Sequence, residues 1–199
     1  MITTKEELSV VTPADWVPGP PQGSWTYEDY AALPDDGRRY EIVNGVLVMA
    51  PVPTPEHQDI VGEIYVALRA YVKLAGLGRV FMGPLDVQLS PENTFQPDLV
   101  VVLNAHLERV TEKKISGAPD LAVEIASPST AAYDRLTKYE KYAQAGITEY
   151  WIVKPTRRTV EVLVLERGEY RSLGVFSEQA TLPSRVIPGL PVRVEQFFA

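Results

Sequence analysis

Apolar and polar positions change period several times along the chain, and each change predicts an element. In "PDLAVEIASPST", Leu121, Val123 and Ile125 alternate with Asp120, Ala122, Glu124 and Ala126. Residues two apart on a strand share a face. The pattern therefore predicts a strand with one wholly apolar face and, on the other, a carboxylate between two alanines. Upstream, "PDLVVVL" is the continuous apolar run of a strand covered on both sides. Residues 79–90 read as a further strand, interrupted near Gly83-Pro84, and "EYWIVKP" as a fourth. Helical spacing governs Ile60, Val61, Ile64, Val66, Ala67, Leu68, Tyr71 and Val72. Thr54 supplies an N-cap for that helix, Pro55 its first position, and Gly76 or Gly78 its stop. A second long helix is predicted across "STAAYDRLTKYEKYAQAG", capped by Ser129 or Thr130 and stopped at Gly146. A short helix follows Ser24 or Thr26 and ends before Pro34. Asn44-Gly45 between two apolar runs predicts a hairpin, and "ERGE" marks another.

The order is helix, three strands, helix, strand, with hairpins at both ends. It predicts an α/β (α+β) domain built on one central mixed sheet. The proline- and glycine-rich stretch up to residue 23 reads as an extended leader, and residues 24–199 as a single domain.

Composition narrows the function. A chain of 199 residues can bury one substantial core. It has no cysteine, which excludes disulfides, thiolate metal sites and a cysteine nucleophile, and fits a cytoplasmic location. No apolar run approaches the roughly 18 residues that span a bilayer, and the N-terminus lacks the basic start and apolar middle of a signal peptide. A formal charge of -7 argues against indiscriminate coating of nucleic acid, though the 19 basic residues can still cluster in a cleft.

An ionised carboxylate in an apolar strand is costly unless something compensates its charge. Asp98 opens the strand before that of Glu124. If the two strands are neighbours, both carboxylates can share one divalent cation. Magnesium, with manganese as its substitute, favours such hard oxygen ligands. It would activate water and stabilise charge at phosphorus. Aspartate then glutamate on adjacent strands after a helix is the arrangement of PD-(D/E)xK nucleases. Their lysine normally lies two residues beyond the glutamate, where this chain has Ala126. The nearest replacement is Lys138 on the following helix.

Four segments in order, "YEIVNGVLVMAPVPTPEHQ", "QPDLVVV", "PDLAVEIASPST" and "DRLTKYEKYAQAGITEYWIV", resemble the Uma-type putative restriction endonuclease family, a branch of that superfamily. The resemblance implies a restriction-endonuclease-like core and a magnesium-dependent endonuclease acting on DNA. By motif match it places the family's aspartate on Asp98, its glutamate on Glu124, its displaced lysine on Lys138 and a helix-start histidine on His57. Lys154 stands where the family often has aspartate.

Each residue also has a plainer reading. Asp98 could bind nearby backbone, Glu124 could pair with a buried arginine, and Lys138 could pair with Asp134 one helical turn away. His57 could serve only at a helix start. Glu41 and Glu63 are weaker candidates, and Asp120 either supports Glu124 or simply begins the strand. Tyr139, Tyr142, Tyr150 and Trp151 read as core. The competing function is a catalytically inactive nucleic-acid- or protein-binding module on the same fold. A homodimer is considered because nucleases that cut both strands often act as symmetric pairs.

Overall fold

The computed structural model describes residues 11–127 and 133–198. Two six-stranded sheets organise it, where the sequence pattern predicted one. The first comprises β1 (Thr12–Pro13), β2 (Tyr40–Val43), β3 (Val46–Met49), β5 (Val87–Ser90), β6 (Asn93–Phe95) and β8 (Ile115–Ser116), in the order β1-β3-β2-β6-β5-β8. The second comprises β4 (Gly78–Met82), β7 (Leu99–Leu103), β9 (Leu121–Ile125), β10 (Glu149–Lys154), β11 (Thr159–Glu166) and β12 (Glu169–Ser177), in the order β12-β11-β10-β9-β7-β4. Each sheet is mixed, with β5–β8 and β9–β10 as parallel pairs. The strand predicted over residues 79–90 is thus two strands, one in each sheet. The break falls at Gly83-Pro84, where the sequence had placed the interruption.

Local signals explain most boundaries. Asn44 and Gly45 both have positive φ, at 51° and 72°, as a tight two-residue hairpin turn requires. A Cβ at Gly45 would also lie 2.5 Å from the Gly23 carbonyl oxygen. Thr26 caps α1 (Tyr27–Ala31) in a reciprocal box with Asp29. Helix α2 (Pro55–Leu74) begins as predicted, with Thr54 Oγ1 accepting from the His57 backbone N–H at 3.2 Å. Its buried residues are Ile60, Ile64, Leu68 and Val72, a stripe four residues apart, with Val61 beside it, while Val66 points outward and is 64% exposed. Val66 is correctly spaced for a helix but falls off the stripe's centre.

Within the described residues the second predicted helix runs from Tyr133 into a π-helical turn over Asp134–Lys138 and continues as α3 (Tyr139–Ala145). Gly146 ends it in the left-handed region at φ 87°. The predicted caps Ser129 and Thr130 lie outside the described residues. From Val11 onward the leader packs on the domain: Thr12–Pro13 pairs with β3, and Ala14 is buried.

The second sheet is covered on both faces. Leu99, Val101, Leu121, Val123 and Ile125 pack with α2 and the C-terminal Phe197. Val100, Val102, Ala122, Ala126 and Ile152 pack with Tyr142 of α3 and with Val43, Val87 and Phe95 of the first sheet. Glu124 lies on this second face. Among the described residues no helix is long and apolar enough to cross a membrane.

Candidate active site

The pairing of β7 with β9 fixes the relation between the two predicted carboxylates. The strands run antiparallel, with Leu99 opposite Val123, Val100 opposite Ala122 and Val101 opposite Leu121. One further step sets Asp98 opposite Glu124, and residues directly opposite share a face. Both line one cleft with Glu41, Asp134, Lys138, Tyr133, Arg39 and Gln96. The cleft encloses about 60 Å³. A water needs roughly 10–15 Å³ of such space, so it has room for a few waters or a partly hydrated cation.

Asp98 is held by two contacts on one oxygen. Its Oδ2 accepts from the Ile125 N–H at 2.8 Å and lies 3.1 Å from His57 Nε2. An ionised carboxylate only accepts, so Nε2 is assigned as the protonated nitrogen. His57 Nδ1 is buried without a partner among the described residues. Glu124 is held likewise: its Oε1 accepts from Lys138 Nζ at 2.9 Å and from Tyr142 OH at 2.7 Å. Among the described residues, Asp98 Oδ1 and Glu124 Oε2 have no hydrogen-bond partner. Among the described residues, no guanidinium pairs with Glu124. A cationic partner is present, and it is Lys138.

Lys138 reaches three carboxylates. Besides Glu124, its Nζ lies 3.4 Å from Glu41 Oε1 and 3.7 Å from Asp134 Oδ1. The intrahelical pair with Asp134 therefore exists, but the contact with Glu124 is the shorter. The π turn helps by burying Asp134, Thr137 and Lys138 together, and such turns recur at functional sites. Glu41 is fully engaged: Oε1 accepts from the Gln96 N–H at 2.8 Å, and Oε2 from Tyr133 OH at 2.8 Å.

Electrostatics follow from burial. Burial pushes the Glu124 carboxyl well above the usual carboxylate range; Lys138 pulls it down, while Asp98, Asp134 and Glu41 raise it further. For Lys138, burial lowers the pKa, but Glu124, Glu41 and Asp134 outweigh it and hold the ammonium above its ordinary value. Burial and the neighbouring carboxylate likewise raise the Tyr133 and Tyr142 phenols, which stay protonated donors.

The remaining candidates separate. Glu63 is exposed on α2 and lines a different groove, with Glu56 and Asp59. Asp120 sits at the opposite end of β9, accepting from the Leu103 N–H at 2.8 Å and pairing with His106 Nδ1 at 2.7 Å, so it supports the backbone rather than Glu124. Lys154 lies 3.9 Å from Glu161. Tyr150 and Trp151 are core residues. Tyr142 is equally buried, but its hydroxyl faces Glu124, a contact the sequence reading missed. One signal was available: Asp134, Lys138 and Tyr142 are spaced four apart, a polar stripe along one helix side. Tyr133, Gln96 and Arg39 carried no such pattern.

The donor set suits a hard divalent cation: two carboxylates with an unpartnered oxygen each, in a cleft whose carboxylates outnumber its cations. Among the described residues no group of three or more His, Asp or Glu side chains forms a ready cage. Magnesium commonly uses only one or two carboxylates, with water and substrate oxygens completing its shell.

The fold is shared with a solved structure. A crystal structure described as a putative nuclease belonging to DUF820, from Anabaena variabilis, matches at TM-score 0.70 and 22% identity, over 87% of this chain and 97% of that one. The chain belongs to the Uma2 family, described as putative restriction endonuclease, whose model matches residues 27–195. None of the curated proteins matches it.

Proposed function

We propose that the protein is a magnesium-dependent endonuclease that hydrolyses phosphodiester bonds of DNA at the Asp98–Glu124 cleft. The observation that carries this reading is the register that sets Asp98 opposite Glu124, each with one oxygen unpartnered, beside a buried lysine 2.9 Å from the glutamate. Asp98 and Glu124 would hold one Mg²⁺, or Mn²⁺ in its place. When bound, such an ion lowers the pKa of water and stabilises charge on phosphoryl oxygens.

The chain's own groups take distinct parts. Lys138 is held protonated, so it serves as a donor to negative charge developing on the phosphoryl group and not as a base. Tyr142 and Lys138 both donate to Glu124 Oε1, which fixes the carboxylate that would hold the ion. His57 and the Ile125 N–H do the same for Asp98 through Oδ2, which makes His57 a positioning residue. Glu41 and Tyr133 hold the lysine from behind.

The test is cleavage of supercoiled plasmid and of labelled single- and double-stranded oligonucleotides, with Mg²⁺, Mn²⁺ or EDTA. Nicking that requires the cation and is lost in Glu124→Gln and Asp98→Asn supports the reading; equal activity in the variants contradicts it. Ala126, where the wider superfamily carries its strand lysine, and the acidic chain favour a second reading, a binding module without turnover. That reading predicts nucleic-acid or protein binding indifferent to Asp98→Asn. Cutting both strands would call for a two-fold pair of chains, which sedimentation would detect.

A further inference from the structure

We propose that Arg39 is a phosphate-binding residue at the rim of the cleft, gripping the nucleic-acid backbone beside the reacting phosphodiester, and that Gln96 positions it. The proposal rests on the nuclease reading above and adds the residue that meets the substrate's charge. Arg39 is half-buried and lines the same cleft as four carboxylates. Yet among the described residues no acid lies within ion-pair distance of it. A guanidinium so near carboxylates would ordinarily pair with one of them.

Gln96 holds it away. Arg39 Nε donates to Gln96 Oε1 at 3.1 Å and Nη2 to the Gln96 carbonyl at 3.5 Å. The glutamine is itself clamped: Nε2 donates to Asp86 Oδ1 at 2.9 Å and to Tyr30 OH at 3.2 Å, and its backbone N–H donates to Glu41 at 2.8 Å. The arginine's backbone is equally fixed, because the Arg39 carbonyl accepts from the Ala50 N–H at 2.8 Å at the foot of the β2–β3 hairpin. A guanidinium has five N–H donors in a planar fork. Two are spent on Gln96, and the rest are left for an anion of matching geometry, which a phosphate's paired oxygens supply.

Charge points to the same ligand. With its carboxylates ionised, the cleft carries four negative charges against Lys138, Arg39 and one divalent cation. These balance. Without Arg39 the loaded cleft stays negative and repels a phosphodiester. A lysine would supply the charge but not the fork.

The experiment is a salt titration of binding to a fluorescein-labelled DNA duplex in Mg²⁺, read by anisotropy. Glu124→Gln is the non-cleaving parent chain. Arg39→Gln in that parent should weaken binding and flatten the slope of log K against log salt by about 0.9, the value of one lost phosphate contact. Arg39→Lys should keep the slope and lose affinity severalfold. Gln96→Leu should do the same, because the charge remains while its aim is lost and the backbone donor to Glu41 survives. In the cleaving chain, Arg39→Gln should raise KM severalfold more than it lowers kcat. An unchanged slope and affinity in Arg39→Gln, with the parent binding, overturns this proposal alone. If the Arg39→Gln protein fails to fold, parent-like affinity in Arg39→Lys and Gln96→Leu overturns it instead. A parent that binds while the unmutated chain cleaves nothing defeats the hydrolytic reading and leaves this one to the slopes. A parent that does not bind DNA defeats both.

Discussion

Burial and three neighbouring carboxylates hold the Glu124 proton more tightly in the folded chain than in the unfolded one, with Lys138 opposing. Between the ordinary carboxylate pKa, about 4.3, and the raised folded value, the folded chain therefore carries the extra proton. Stability from this group is present at low pH and falls as pH rises through that window. Lys138 does not cancel the trend near neutrality, because a raised lysine pKa contributes fully below about 10.4 and is lost only in alkali. Glu124→Gln should flatten the decline in thermal stability from pH 5 to pH 8 while abolishing cleavage. A Tm falling with pH as steeply as in the unmutated protein would count against the assignment. Lys138→Met should do the opposite, leaving Glu124, Glu41 and Asp134 without their cation. Breaking such a buried pair costs about 3–5 kcal/mol, and Mg²⁺ or Mn²⁺ should restore part of it in a denaturation scan. Tyr142→Phe removes one hydroxyl from Glu124 Oε1 without changing the packing. Its expected signature is a roughly 10–100-fold loss in metal affinity or activity with Tm little changed.

Two elements deliver the site, and each has a local cause open to test. Thr54 caps α2 through the backbone of His57, the residue whose ring reaches Asp98. Thr54→Ala should cost about 1 kcal/mol in urea unfolding, and cleavage should fall as well, because the same residue loses its seat. Ile64→Ala, in the stripe that seats α2 on the second sheet, should cost about 2–5 kcal/mol. These elements were legible in the sequence because their signals are local: a threonine before a proline, apolar residues four apart, an Asn-Gly turn. Lys138, on a charge-rich helix, stood out only through the family resemblance; Asp98 and Glu124 stood out because charge interrupts an otherwise apolar strand pattern. Glu41 carried the same signal more weakly, since its strand is short, though all four of its residues are buried. The division into two sheets was not legible. It depends on β5, β6 and β8, of four, three and two residues, too short to show a period. Nor were the hydrogen bonds of Tyr133, Gln96 and Arg39, which arise only when distant segments meet.

Across the whole molecule, an acidic chain of formal charge -7 concentrates four carboxylates in one cleft and offers it a single buried cation. That arrangement sacrifices stability unless something positive enters, and a divalent ion held by Asp98 and Glu124 would relieve it. Saturation at 100 times Kd should stabilise the chain by about 2.7 kcal/mol, an effect absent in Asp98→Asn. The most direct measurement is anomalous diffraction from a crystal of the protein soaked in Mn²⁺. The account predicts one strong peak bridging Asp98 and Glu124, with Lys138 still on Glu124. Saturating manganese with no density between those two carboxylates, or density only elsewhere, would contradict it.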